Sequence, residues 1–309
     1  MRKLLYGMSR GLFYTAIVVS MAACGLSKTQ KSGVATFGEA AAVLGTASKA
    51  NFQGGRENVI QMKKQRLAIE RKTLPAVKPD GTAPDRAFYT AELNLDSGLD
   101  PANIEKRVNA SDLLIQYGKL LVAFSNENQE QEMSDSAADL ADSIRKFPEN
   151  PLSKDEIDGL GKLVLALGNM QVEHEKKETL KTIVPSMSRL ITRLCDNLEN
   201  DFDLGKRGVA ADIYNVQERL ANESIDGLKR EGGSIADRLV LINGFAMADD
   251  SRTNLQGASA NLLKAVASLR QAEKKLSDQI DNNKFTFDEI KSFAKDAANL
   301  AKAIKPFAK

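Results

Sequence analysis

The chain has 309 residues, with 43 Lys plus Arg against 41 Asp plus Glu, one His, two Cys and no Trp. So even a charge balance removes the electrostatic reason to expect nucleic-acid binding, which needs a basic surface. One histidine, His174, and two cysteines, Cys24 and Cys195, leave too few ligands for a His/Cys zinc site. Aromatics make up only 6% of the residues. Beyond residue 151 the prolines are Pro185 and Pro306 alone. That composition suits helices.

In chain order, MRKLLYGMSR carries Arg2, Lys3 and Arg10 and no acid, and GLFYTAIVVSM then runs without a charge. This is a basic n-region followed by an h-region of signal-peptide length. It falls short of the roughly 20 apolar residues that span a bilayer. The run ends in Met21-Ala22-Ala23-Cys24. Here the chain resembles the bacterial lipoproteins, whose lipobox is an aliphatic residue, two small residues and Cys. The resemblance covers residues 1–24 alone. It implies a diacylglycerol on the Cys24 sulfur, cleavage before Cys24 and acylation of the new amine. Gly25 stands where Asp would retain an enterobacterial lipoprotein at the inner membrane, so the outer membrane is favoured. The alternative is a plain secretory signal, or an anchor helix, with a chance cysteine. The expected organisation is a signal peptide over 1–23, a lipidated Cys24 with a flexible tether over 24–35, and a helical domain over 36–309. Without residues 1–23 the acids and bases balance to within one charge.

From Thr36 the text turns helical. FGEAAAVLGTASKANFQGG is alanine-rich, with Gly54-Gly55 a candidate break before RENVIQMKKQRLAIERKTL. Residues 74–100 hold three prolines and read as one long loop, functional or disordered. Within it FYTAEL suits a short strand or a helical turn. Asp100 as N-cap and Pro101 at N1 open the next helix. SDSAADLADSIRKF is a short helix stopped by Pro148. Ser153 and Glu156 form a capping box, opening a segment whose apolar row runs Ile157, Leu160, Val164, Leu167, Met170, then, past a charged stretch, Leu180, Ile183, Met187, Ile191, Leu194, Leu198. Pro185 should kink or split it. Another helix, GVAADIYNVQERLANESIDGLKR, stops at Gly232-Gly233, and Ser234 caps the last long stretch. There Leu255, Leu262, Leu269 and Leu276 recur every seven residues, with Val266 and Ile280 in a second row that Ser259 and Glu273 interrupt. This heptad row reads as a seam inside a bundle rather than between copies. The expected fold is all-α: an elongated bundle of long, mostly antiparallel helices with coiled-coil-like seams.

HExxH, CxxC, a P-loop, GxGxxG and GxSxG are all missing. His174 reads as a surface or boundary residue and Cys195 as a buried structural thiol. The pairs Glu173/Glu175 and Asp249/Asp250, like the basic cluster Lys63-Lys64-Gln65-Arg66, read as solvated faces. DQIDNNKFTFDE resembles an EF-hand loop, with Asp278 at position 1, Asn282 at 5 and Glu289 at 12. The side chain of Ile280 at position 3 has no oxygen to offer calcium. The competing reading is a helix–loop–helix joint in which Thr286 caps and Glu289 completes the box. No resident metal or cofactor is expected.

These readings converge on a non-catalytic, lipid-anchored envelope protein, facing the periplasm or the cell surface. It would act as scaffold or protein-interaction module, with the membrane and an envelope protein as partners and oligomeric state left open. The alternative is a membrane-active or ligand-binding bundle in which FGEAAAVLGTASKA and LVLINGFAMA insert into lipid. An enzyme using carboxylates alone is a third reading.

Overall fold

The computed structural model describes residues 26–70, 74–95, 99–126, 130–170, 173–230, 232–280 and 287–304. Among them the chain is all-α: nine helices and no strand. They are α1 (Lys28–Ile69), α2 (Arg86–Leu93), α3 (Pro101–Ser125), α4 (Glu130–Lys146), α5 (Lys154–Gly168), α6 (Glu173–Phe202), α7 (Val209–Lys229), α8 (Ile235–Gln279) and α9 (Asp288–Ile304).

The starts follow their caps. In α5, Ser153 Oγ accepts from the Glu156 amide while the Glu156 carboxylate accepts from the Ser153 amide. Arg189 Nη2 stands 2.6 Å from Glu156 Oε1. That contact, with the bonds from Ser153, holds the Glu156 carboxyl down at about 2. Ser234 and Asp237 repeat the reciprocal arrangement at the head of α8. Asp100 Oδ1 accepts from the Ala102 amide at the head of α3.

Three expectations are corrected, and one open choice, FYTAEL as strand or helical turn, is decided for helix. The tether over 24–35 is helical from Lys28, because Ser27 and Gln30 form a capping box of their own, at 2.9 and 3.2 Å. Val34 is buried there. Gly54-Gly55 does not break α1: a Cβ on Gly55 would come within 2.9 Å of Ile213 Cδ1, so that glycine serves close packing against α7. The 74–100 loop contains α2, capped by Asp85, whose side chain accepts from the Phe88 amide, and ended by Asn94 in the left-handed region. Pro185 does not split the segment: it lies inside α6, and the break falls at Asn169.

The single domain expected over 36–309 divides into two compact units. Unit 1 takes the described residues of Met1–Ala42, Leu113–Thr192 and Ser268–Ala294; unit 2 those of Val43–Asp112, Arg193–Ala267 and Lys295–Lys309. In unit 1 the core holds Phe37, Leu114, Tyr117, Leu140, Val164, Ile183, Met187 and Phe293. Phe37 sits edge-on to Tyr117 at 6.1 Å and tilted against Phe293 at 5.5 Å. Unit 2 is centred on Phe52 and Phe202, 5.0 Å apart, with Met62, Leu198, Ile213, Leu220, Leu262 and Val266 around them. Within it Asn58 Nδ2 donates to Ser251 Oγ at 2.7 Å and Gln65 Nε2 to the Val240 carbonyl at 2.7 Å, so α1 and α8 run antiparallel there. The heptad residues Leu255, Leu262, Leu269 and Leu276 are all buried, as an internal seam requires.

Candidate functional site

The expected interruption of the second heptad row is the most unusual chemistry in the molecule. Glu273 follows Val266 by seven residues and precedes Ile280 by seven, so its helix register points it inward with them. It is 2% exposed, and Tyr117, also buried, faces it from α3. Among the described residues neither carboxylate oxygen, nor the Tyr117 hydroxyl, completes a well-aligned hydrogen bond, but the hydroxyl lies close enough to act on the carboxylate. Burial pushes the Glu273 carboxyl up to about 8, the Tyr117 hydroxyl pulling the other way. Burial, then the charge on Glu273, pushes the Tyr117 phenol well above its ordinary value. At neutral pH Glu273 therefore carries a proton: ionising it unpaired in an apolar interior costs more than holding the proton. Tyr117→Phe is expected to raise the Glu273 pKa further, since the hydroxyl favours the ionised form. A pH series of urea unfolding will show it as stability falling over a wider alkaline range.

The candidate residues of the sequence lie elsewhere. Cys24 is outside the described residues, as are Asn282 and Thr286. Asp278 is exposed on the last turn of α8. Glu289 Oε1 is 3.5 Å from Lys275 Nζ, a cation already at the oxygen a calcium loop would use. No group of three His, Cys, Asp or Glu able to hold a metal occurs among the described residues. His174 is exposed. Cys195 is buried in unit 2 with Sγ 4.0 Å from the Val266 carbonyl, a structural thiol. In the basic cluster, Arg66 makes a two-pronged pair with Glu223, at 2.8 and 2.5 Å, and reaches Glu70 at 2.9 Å. Lys63 donates to the Leu95 carbonyl at 3.2 Å. These cations brace unit 2. Asp249 sits 3.3 Å from Arg252.

The other distinctive surface is the outer side of the first three turns of α8. The inner side packs on α7 and α1: a Cβ on Gly244 would meet Ser224 Oγ at 2.7 Å and Ile69 Cδ1 at 3.0 Å. Facing away are Ile235, 82% exposed, Leu239, 53%, Ile242, 49%, and Phe245, 40%. Ile235, Leu239, Ile242 and Ala246 follow a 4-3-4 spacing, the rhythm of a helix seam. Beside them a shallow groove of about 180 Å³ opens between α7 and α8, walled by Gln217, Ala221, Ile225, Phe245, Ala248 and Arg252. The apolar text of LVLINGFAMA was visible in the sequence. Its exposure was not.

The described residues define a class: an all-α helix-bundle protein with a sealed carboxyl at Glu273 and an open apolar face on α8. Comparison with protein families, curated proteins and solved structures finds no match to this chain.

Proposed function

We propose that the chain is a lipid-anchored protein of the bacterial cell envelope that acts without catalysis, as a scaffold or protein-interaction module. The observation that carries the interaction role is the 4-3-4 apolar stripe of α8, left open on a bundle whose other heptad row is buried. A contiguous exposed apolar patch of this kind marks a binding face in soluble domains. The anchor rests on the basic start, short apolar run, Ala22-Ala23 pair and Cys24, with Gly25 favouring the outer membrane. Each buried methylene of an acyl chain contributes roughly 0.8 kcal/mol, and several chains together hold a protein firmly. The four residue-to-residue steps from Cys24 to Lys28 reach at most about 14 Å, so the described end of α1 would be held close to the lipid.

Cys24→Ser is expected to move most of the protein from the membrane pellet to the soluble fraction. The wild-type N-terminal peptide should carry fatty-acid mass. A variant that stays in the pellet, with no acyl mass on the parent, removes the anchor from this reading.

The second reading, a membrane-active bundle, is favoured by the same exposed residues, Leu239, Ile242 and Phe245. None of the described helices is long and apolar enough to cross a membrane, so this reading needs the face to lie in the interface. Leakage of dye-filled liposomes by the purified protein separates the two.

A further inference from the structure

We infer that the open face of α8 docks against the same face of a second copy of this chain, the two helices running antiparallel. This rests on the interaction-module reading above and names its partner.

The register follows from the stripe. In an antiparallel seam the d position of one helix meets the a position of the other. With Ile235 and Ile242 as d, and Leu239 and Ala246 as a, one alignment satisfies every layer: Ile235 opposite Ala246 of the other copy, and Leu239 opposite its Ile242. The two-fold axis then passes between residues 240 and 241. The flanks agree with that alignment. On one flank Arg238 comes opposite Phe245, a guanidinium facing an aromatic ring. On the other Ala236 comes opposite Asn243. All eight positions are exposed.

The ends are complementary as well. Asp249 and Asp250 follow the stripe at one end, both exposed. At the other end lie Gly232, Gly233 and Ser234, with Lys229 and Arg230 closing α7 just before them. Antiparallel pairing sets the two acids of each copy against the amino-terminal end of the other copy's α8, the positive pole of its dipole. A parallel pair would set acids against acids. Burying an apolar stripe while joining opposite charges is what a symmetric, isologous contact achieves.

Cysteine placement tests the register in the full chain held in mild detergent. The buried Cys195 contributes no cross-link, and the unmodified chain controls for Cys24. Ile235→Cys mixed with Ala246→Cys is expected to give a covalent dimer on mild oxidation. Ile235→Cys alone should give none, because two copies of residue 235 would lie about 16 Å apart along the axis. Leu239→Asp, at an exposed site that leaves the fold intact, is expected to weaken association about tenfold or more in sedimentation.

Cross-linking of Ile235→Cys alone would mean parallel pairing and overturn the register. A chain that stays monomeric, with no cross-link in either arm, overturns the second copy. In that event a photo-crosslinker at residue 242 in intact cells separates the causes. Capture of a different protein leaves the interaction module standing with another partner. Protection of the face by phosphatidylglycerol vesicles, without protein capture, removes that reading too.

Discussion

Glu273→Leu is expected to stabilise the protein at pH 8 by about 2–4 kcal/mol and to flatten its pH dependence. Folding moves this carboxyl from water into the interior of unit 1, where it is 2% exposed and, among the described residues, has no cation to pair with and no well-aligned hydrogen bond. Its pKa rises from 4.5 to about 8 on folding, burial being the cause. The folded protein therefore holds a proton that the unfolded chain has lost, and folding takes one up between those two values. Stability contributed here is full below about pH 4.5, falls by roughly 1.4 kcal/mol per pH unit as pH rises, and is lost by about pH 8. Leucine has no proton to take up and fits the row between Val266 and Ile280. Glu273→Gln separates titration from shape: it too should abolish the slope. It should gain less than leucine because a buried amide still needs partners. Urea midpoints at pH 5, 7 and 8.5 measure all three proteins. A leucine variant less stable than the parent at pH 8.5 would mean that the carboxylate has a partner in solution, and the sealed-proton description would fail.

Why that acid was not recognised from the text alone is a matter of range. Seven-residue spacing placed position 273 in a buried row, but an acid in such a row reads as an interruption until its neighbours are known. Tyr117 lies 156 residues away in sequence, and no periodicity links α3 to α8. Local signals fared better. The all-α class, the caps at Ser153 and Ser234 and the buried row from Leu180 to Leu198 follow from spacing and from side chains that bond the first turn. Where local text was weak, it misled. Ser27 and Gln30 cap α1 inside a stretch of small polar residues that otherwise looks like a linker. The 4-3-4 stripe at Ile235 was readable as apolar, yet the opposite side of those turns, at Leu241 and Gly244, is apolar or small too. Periodicity does not say which of two such sides α7 and α1 will cover.

Gly118→Ala is expected to destabilise the protein by about 2–4 kcal/mol, although alanine is the better helix former by about 1 kcal/mol. The glycine stands where α3 crosses α1 in unit 1. A Cβ there would collide with the Gly38 carbonyl oxygen and come within 2.7 Å of the Ala42 backbone nitrogen. The reciprocal Cβ on Gly38 would lie 2.6 Å from the Gly118 carbonyl oxygen. Both neighbours are backbone, so relief requires the helices to part rather than a side chain to turn. Parting them loosens contacts along the whole crossing. Gly159→Ala in α5 is the control: nothing lies within 4 Å of its added methyl, so it should stabilise by about 0.5–1 kcal/mol. Thermal or urea unfolding of the two variants gives opposite signs if close approach is the reason for Gly118. Equal signs would reduce it to an ordinary helical glycine. The crossing also bears on the buried acid. Phe37 and Tyr117 are the residues next to Gly38 and Gly118, and their rings meet at 6.1 Å because the backbones do. A methyl that parts the helices would open a way for water toward Glu273 and let it ionise at lower pH. Gly118→Ala should therefore lose stability and also titrate differently, its pH slope ending below about pH 8. A helix former substituted far from the crossing would not shift that endpoint.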